Sequence, residues 1–305
     1  MSLKRLAVSS LALATVCFVP RVHAQKSFWD SRNAYLGQRR PGNTPQIFAP
    51  GMLADPGTIV MGRTNFSPDG KEIYYHQEKQ WRDIKSAKVK AFKYDGHKWN
   101  GPTVLFEQVG NQALSMDGKT LYFARGNDHQ VWMSNQTDDG WSAPAIFIEE
   151  PYDMYDFMPT KSGVFYLASD PDAEDKKNGI TFSFSKLTPS GKGFTIKSLG
   201  RLLNEPGFNG DFYIAPDESY IIVSAKETKT YECELYISFR KPDATWTVPV
   251  SLGAKINDGL AHRWGEYVTP DSKYLFYTRG TSSNDTAIYW VRFDKLLNKL
   301  RQEQR

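Results

Sequence analysis

Three acidic residues in the second half of the chain have the type and placement that general acid–base chemistry needs. Asp156, Asp211 and Glu266 each come just before an apolar segment of similar sequence. Pairs of carboxyl groups, one protonated and one ionised, cleave glycosidic bonds in many hydrolases. Counted back from an equivalent turn position, however, the three residues stand four, six and five positions away. Because side chains alternate along a strand, they can face one side together only if a bulge shifts the register.

A second group of residues could bind a ligand without catalysing a reaction. The segment 258–266 is the densest polar and aromatic cluster of the chain, with His262, Arg263, Trp264 and Glu266. An indole ring can stack on a sugar, and a guanidinium can hold an anion through two hydrogen bonds. The segment 149–156, which ends in Tyr155 and Asp156, is a second acidic and aromatic cluster. The alternative interpretation of both segments is ordinary packing between blades, in which only the polar ends of the side chains are exposed.

The sequence contains no comparable pattern for metal binding or for nucleophilic catalysis. Beyond residue 24 the histidines are far apart in sequence, at His76, His97, His129 and His262. Structural metal sites use ligands at short spacing, which these residues lack. Cys233 stands in an alternating segment typical of a buried strand, and no phosphate loop, nucleophile elbow or dinucleotide fingerprint is present. We therefore expect no metal and no cofactor.

The elements that would position these residues follow from an internal repeat. Five segments combine a short strand, a tight turn of Pro-Asp-Gly type and a strongly apolar strand. The equivalent turn positions are Asp69, Asp117, Thr160, Asp217 and Asp271. Their steps of 48, 43, 57 and 54 residues leave room for further strands in each unit. The Asp of each turn is better interpreted as a turn residue than as part of a site.

A second marker, Trp-x-x-Pro, falls between these copies and begins at Trp99, Trp141 and Trp246, with Phe194 in the equivalent place of the divergent unit. Proline suits an edge strand because it has no N–H to donate. A third strand lies between the two markers, so each unit contains four antiparallel strands, the content of a propeller blade. The sequence therefore predicts an all-β protein, a five-bladed β-propeller with four antiparallel strands per blade.

The two ends of the repeat region predict how the ring closes. The fifth unit runs directly into a polar tail over 294–305 and lacks an outer strand. Residues 44–50, upstream of the first unit, resemble an outer strand without a blade of its own. We expect this N-terminal strand to complete the last blade. The predicted organisation is then an N-terminal extension over 25–43, one propeller domain over 44–293 and the polar tail.

The repeats resemble those of the TolB-like, WD-repeat-like periplasmic β-propeller family over residues 44–293. The likeness rests on Ser67-Pro68-Asp69-Gly70-Lys71, Ala215-Pro216-Asp217-Glu218-Ser219-Tyr220, Leu235-Tyr236-Ile237-Ser238-Phe239-Arg240 and Ile288-Tyr289-Trp290-Val291. It implies the propeller fold and a binding role, and it names no ligand because such repeats serve many functions. Five-bladed glycosidases of the arabinanase type use three acids from different blades, a pattern similar to the three acids described above.

The first 24 residues and the charge balance bear on location and partners. Lys4 and Arg5 precede an apolar stretch, and Val22-His23-Ala24 places small residues where a signal peptidase needs them. This pattern predicts a signal peptide over 1–24, a periplasmic or secreted protein, and no membrane span. The chain has 38 Lys and Arg against 34 Asp and Glu, and without residues 1–24 the balance is 35 against 34. Because the net charge without residues 1–24 is close to zero, we do not expect a nucleic-acid partner.

These patterns lead to one functional expectation and one alternative. We expect a monomer that binds a protein partner or a carbohydrate-like ligand through loops at the channel face of the propeller. The candidate ligand-binding residues are Tyr155, Asp156, Asp211, His262, Arg263, Trp264 and Glu266. The alternative is a carbohydrate-active hydrolase or lyase that would use Asp156, Asp211 and Glu266 as its catalytic residues.

Overall fold

The computed structural model describes residues 27–125, 129–170, 176–180, 182–191, 193–205, 207, 211–226 and 232–304. Two short 3-10 helices, Phe28–Asp30 and Tyr35–Gly37, precede the strands. Five antiparallel sheets follow, which are the five predicted blades. The predicted signal peptide lies outside the described residues.

The first three blades follow the chain in order. The first consists of β2 (Ile59–Phe66), β3 (Glu72–Glu78), β4 (Lys88–Tyr94) and β5 (Trp99–Glu107). The second consists of β6 (Gly110–Leu114), β7 (Thr120–Ala124), β8 (Gln130–Thr137) and β10 (Ala145–Glu149), with the short β9 (Gly140–Trp141) beside β8. The third consists of β11 (Met154–Pro159), β12 (Phe165–Ser169), β13 (Ser183–Ser190) and β14 (Gly193–Ser198).

The last two blades complete the ring. The fourth consists of β15 (Phe212–Ile214), β16 (Tyr220–Ala225), β17 (Glu234–Phe239) and β18 (Val250–Ser251). The fifth consists of β19 (His262–Val268), β20 (Tyr274–Ser282), β21 (Asp285–Arg292) and the N-terminal β1 (Gln46–Ile47). The inner strands β2, β6, β11, β15 and β19 contact one another in this order, and β19 returns to β2. This closed ring confirms the predicted five-bladed β-propeller.

The turns between the first and second strands use the Asp residues as predicted. In the first blade Ser67 Oγ donates a hydrogen bond to Asp69 Oδ1 over 2.7 Å, and the backbone N–H of Lys71 donates to the same oxygen over 3.1 Å. The second and fifth blades repeat this pattern at Asp117 and Asp271. A carboxylate that accepts local hydrogen bonds fixes a tight turn, so these residues serve the architecture.

The ring is closed by the N-terminal segment. Gln46 pairs with Trp290, Ile47 pairs with Tyr289, and the Phe48 N–H donates to the Ile288 carbonyl over 2.8 Å. The Phe48 ring is buried, with its centroid 5.2 Å from that of Trp290 and 5.0 Å from that of Phe276. Trp29 and Tyr35 join the same core, which spans the seam between the first and fifth blades. The predicted closure of the last blade is therefore confirmed.

Residues 294–303 of the predicted tail form a helix, Asp294–Glu303. Its Leu297 and Leu300 are buried in the core cluster that includes the fourth blade. The Arg301 guanidinium lies 5.9 Å from the ring centroid of Tyr220 and 5.7 Å from that of Phe239. The helix is thus amphipathic, and its apolar side rests on the turn end of the ring.

The inner strands carry bulges at equivalent places. The register shifts within β2, β6, β11 and β19, and each shift contains a residue with left-handed backbone: Gly62, Asn111, Asp156 and Gly265. Gly265 has φ +64°, and a Cβ there would lie 2.4 Å from the carbonyl carbon of Gly62. The first and fifth blades therefore approach each other so closely at their bulges that only glycine fits.

Replacing Phe48 by Ala should cost about 3–5 kcal/mol of unfolding free energy, because it removes a large ring from a sealed core. Ile47, the preceding residue, is 45% exposed and provides the matched control. Ile47→Ala should cost less than about 1 kcal/mol. Chemical denaturation of both variants measures the difference. Equal costs would contradict the assignment of Phe48 as the residue that anchors the closing strand.

Replacing Gly265 by Ala should cost at least about 3 kcal/mol, since backbone strain and overlap with Gly62 add together. Gly163 has φ +79° with open space around it. Gly163→Ala should therefore show the backbone strain alone, about 1 kcal/mol. Thermal or urea unfolding of the two variants separates these effects, and similar losses would argue against a tight approach of the two blades.

Candidate functional site

Asp156 lies in a buried ion pair that links three blades. Its Oδ1 lies 3.2 Å from the Nη2 atom of Arg63, and its Oδ2 accepts a hydrogen bond of 3.0 Å from the Phe212 N–H. The same Nη2 donates to the Phe212 carbonyl over 3.1 Å. Burial raises the pKa of Asp156, and the positive charge of Arg63 acts against that shift. Both oxygens of this carboxyl group are therefore engaged in holding inner strands together.

Glu266 lies in the same buried region and makes a different kind of contact. Its side chain is fully buried, and its Oε1 lies 2.5 Å from the Ser224 hydroxyl oxygen. That hydroxyl also lies 2.7 Å from the Arg263 carbonyl, which can only accept. Burial raises the pKa of Glu266 to about 8, and the nearby Asp156 charge adds to the rise. A protonated Glu266 can donate to Ser224 while Ser224 donates to the carbonyl, so both short contacts are satisfied.

Together these side chains form one buried group across the inner strands. We call it the polar layer, and its members are Arg63, Gln112, Asp156, Ser224 and Glu266. Gln112 joins it through a 2.5 Å hydrogen bond from its Nε2 to the Arg63 carbonyl. The bulges place these residues, since the left-handed Asp156 and the residues after Gly62 and Gly265 turn inward there. The polar layer contains two of the three predicted acids, Asp156 and Glu266. Each makes an ionic or hydrogen-bonded contact with a residue of another blade.

Arg263 has a structural environment that the sequence did not suggest. Its five N–H groups donate to the backbone carbonyls of Cys233, Ile256, Asp258, Gly259 and Ala261. The residue is 1% exposed. Since a guanidinium has five donors in total, none is left for a ligand. Arg263 fixes the shape of the preceding loop instead of holding an anion.

His262 and Trp264 lie at the opposite end of the inner strand from the turns, and they meet a third ring there. The Trp81 ring centroid lies 5.4 Å from that of Trp264, in a stacked arrangement, and 4.9 Å from that of His262. The rings border a recess of about 290 Å³ between the fifth and first blades. Its other lining residues include Glu232, Leu260, Thr281, Ser282 and Ser283. We call this the aromatic recess.

Cys233 is buried next to His262 of the aromatic recess and directly precedes β17. Its sulfur accepts a hydrogen bond of 3.0 Å from the Arg263 N–H, and its thiol donates to the Arg263 carbonyl over 2.9 Å. The Nδ1 atom of His262 lies 3.6 Å from the same sulfur. The thiol is thus built into the backbone contacts of the loop. Cys233 is buried as predicted, but it lies one residue before the strand.

The remaining candidates lie elsewhere. The Tyr155 ring packs edge-on against Phe182, with centroids 4.8 Å apart. Asp211 is half-buried, and its carbonyl accepts a hydrogen bond of 3.0 Å from the Ser224 N–H. The structure therefore brings Asp156 together with Glu266, and His262 together with Trp264, without uniting all seven candidates in one site.

Trp81 is not among the candidates that the sequence predicted, and it lies in a locally basic segment, 79–90, that follows β3. An aromatic residue within an otherwise charged loop was the available signal. Among the described residues, no group of three or more His, Cys, Asp or Glu side chains could hold a metal ion. No helix in the described part of the chain is long and apolar enough to cross a membrane.

The raised pKa of Glu266 predicts how the free energy of unfolding depends on pH. Below pH 4.5 both the folded and the unfolded chain hold this proton, and above about 8 neither does. Between these values only the folded state holds it, so its contribution falls by up to about 1.4 kcal/mol per pH unit as pH rises. Glu266→Gln should therefore be more stable than the wild type at pH 8 and show a flatter profile from pH 5 to 8.

Urea unfolding at several pH values measures this difference. Glu107→Gln, which changes an exposed glutamate on an outer strand, is the matched control and should follow the wild-type profile. A Glu266→Gln variant that loses stability at pH 8 would show that the glutamate is ionised in the folded protein.

The comparisons with known proteins bear on the fold. Neither a protein-family model nor a curated protein matches the chain. Among solved structures, TolB from Acinetobacter baumannii is 13% identical with a TM-score of 0.43, and the match covers 76% of this chain and 54% of that one. This chain thus spans about half the length of that TolB.

Two further structures are similar to the same degree. A putative TolB from Agrobacterium tumefaciens is 13% identical, with a TM-score of 0.45 and coverage of 76% of this chain and 77% of that one. A gluconolactonase from Xanthomonas campestris is 14% identical, with a TM-score of 0.48 and coverage of 83% and 86%. At these identities the likeness carries no argument about function. The structural neighbours of this five-bladed β-propeller are TolB and other propeller proteins.

Proposed function

We propose that this chain is a periplasmic or secreted binding protein that holds a carbohydrate-like ligand in the aromatic recess. The observation that carries the proposal is the meeting of Trp81, His262 and Trp264 around a surface recess with a polar rim. Aromatic faces and edges bind the apolar side of a sugar, while rim groups bind its hydroxyls. The residues 1–24 with their signal-peptide pattern support the location.

The dimensions and chemistry of the recess favour a small neutral ligand. A volume of about 290 Å³ is near the lower end of the range for small-molecule sites, which fits one or two sugar rings. Ser282 and Ser283 supply hydroxyl groups that donate and accept, and Glu232 supplies a carboxylate that accepts. Since Arg263 has no free donor, the recess offers no guanidinium for an anionic group.

The exposed Leu260 at the rim bears on the size of the ligand. Its side chain is 75% exposed and borders the recess. A protein partner would cover this leucine together with the rings, whereas a small sugar would leave it in water. Leu260→Ser should therefore leave the affinity for a saccharide within about twofold. A large loss of saccharide affinity would contradict a ligand that leaves Leu260 in water.

The hydrolase alternative rests on the raised pKa of Glu266, which lies buried near Asp156. A general acid in a glycosidase also needs a raised pKa, but it must touch the glycosidic oxygen. Glu266 is fully buried, and both oxygens of Asp156 bond to Arg63 and Phe212. Neither residue borders the aromatic recess. We therefore propose a binding function without turnover of the ligand.

Trp81→Ala should weaken binding of the ligand by about tenfold or more, because it removes a ring from the recess wall. Trp132→Ala is the matched control: Trp132 is also half-buried and also has an arginine guanidinium over its ring, 5.2 Å away compared with 5.1 Å for Trp81. Calorimetric titration with a panel of mono- and disaccharides measures both variants. Failure of the wild type to bind any saccharide, or equal binding by both variants, would overturn the proposal.

A further inference from the structure

The turn end of the ring contains a second and larger cavity that the proposed function does not use. It has a volume of about 630 Å³, within the usual range for small-molecule sites. Its deep part is lined by Asn65, Met158, Tyr213 and Tyr267, and its rim by Lys161 and Arg301. We call it the mouth cavity. The register of the fifth blade places Val268 of the mouth cavity at the opposite end of β19 from His262 of the aromatic recess.

Polar groups at the deep end of the mouth cavity do not make all the hydrogen bonds that they could make. Asn65 is 2% exposed, and its Oδ1 has no hydrogen-bond partner among the described residues. The Tyr213 hydroxyl donates a long hydrogen bond of 3.4 Å to the Val268 carbonyl. The Tyr267 hydroxyl makes two long contacts of 3.4 Å, one with the Phe66 carbonyl and one with the Phe66 N–H. A buried acceptor without a partner is costly, so this end of the cavity favours a ligand that brings an O–H or N–H donor.

The middle of the mouth cavity is apolar and aromatic. Its walls include the turn prolines of several blades, Pro68, Pro159, Pro216 and Pro270. Met158 and the faces of Tyr213 and Tyr267 lie nearby and are at least half-buried. Such a wall favours a flat, apolar ligand body between the donor and the rim.

The rim carries positive charge that is not neutralised locally. Among the described residues, no carboxylate lies within 4.0 Å of the Lys161 ammonium or the Arg301 guanidinium. The C-terminal helix holds Arg301 over Tyr220, with one hydrogen bond of 3.2 Å to the Ser219 hydroxyl. Its guanidinium is therefore positioned while most of its donors remain available.

The acids in the lining are largely engaged with other groups. Asp271 accepts hydrogen bonds from Tyr35 and Thr269, and Asp294 is held by two 2.6 Å contacts with Arg292. Asp217 is exposed and accepts only the Ser219 N–H among the hydrogen bonds of the described residues. Two available cations thus face one available acid, so the rim favours a single negative charge on the ligand.

We propose that the mouth cavity binds a small amphipathic organic anion: a flat apolar body with a hydrogen-bond donor at its inner end and a carboxylate at its outer end. The donor bonds to Asn65 Oδ1, the body lies against Tyr213 and Tyr267, and the carboxylate bonds to Arg301 and Lys161. The C-terminal helix supplies the anion-binding arginine of this site. This site shares no residue with the aromatic recess, and its test is independent of the proposed function.

The probe is 6-hydroxy-2-naphthoate, which has a phenolic O–H and a carboxylate at opposite ends of a flat body. Its methyl ester lacks the charge, and 2-naphthoate lacks the donor. Arg301→Gln and Lys161→Gln should each weaken binding of the anionic probe by about three- to tenfold. Both variants should bind the ester as the wild type does. Lys299→Gln, on the same helix with a 70% exposed side chain, is the matched control and should change nothing.

The deep end is tested with the second analogue. The wild type should prefer 6-hydroxy-2-naphthoate to 2-naphthoate, and Asn65→Ala should lose that preference, with folding checked by circular dichroism. Failure of the wild type to bind the probe, equal binding by the Arg301 and Lys299 variants, or loss of binding in Trp81→Ala would each overturn the proposal. Saccharide titration of Arg301→Gln shows separately whether the aromatic recess still functions.

Discussion

Closure of the ring is the constraint on which the rest of this structure depends. Each blade buries both faces of its sheet only when it has a neighbour on each side, so an open chain of five blades would leave two sheet faces in water. The last seam is closed by a strand of only two residues, Gln46–Ile47. Its few hydrogen bonds are supplemented by Trp29, Tyr35 and Phe48, which are buried between the first and fifth blades. Aromatic packing therefore provides most of the contact at this seam.

Closure of the ring also determines which side chains of the inner strands are available to a ligand. Five strands meeting around one axis come so close that the bulge of the fifth blade has room only for glycine at position 265, where a Cβ would overlap the Gly62 backbone. The bulges turn polar side chains inward, where Arg63 pairs with Asp156 and Glu266 lies within hydrogen-bond distance of Ser224. Two acids that could have formed a catalytic pair are thus used to join blades. The surfaces left for ligands are the two ends of the ring.

The fold could be predicted from the sequence because the motifs that specify it are local and are repeated along the chain. A turn of Pro-Asp type between two strands can be identified in most units without their neighbours, and three units also have Trp-x-x-Pro before an outer strand. The functional surfaces depend on residues distant in sequence. The contact of Trp81 with His262 requires the ring to close, and the five carbonyl partners of Arg263 require a particular loop conformation. Residue types could suggest His262 and Trp264, but they could not show that the Arg263 donors were already used.

The buried polar layer has a consequence for how the two ends of the molecule behave. It lies between the aromatic recess and the mouth cavity, and its side chains are packed and bonded across the inner strands. Among the described residues, this layer of bonded side chains separates the two proposed sites along the inner strands. Occupancy of one end should then leave the dissociation constant at the other unchanged, with a coupling free energy near zero. The two proposed sites should therefore bind their ligands independently of each other.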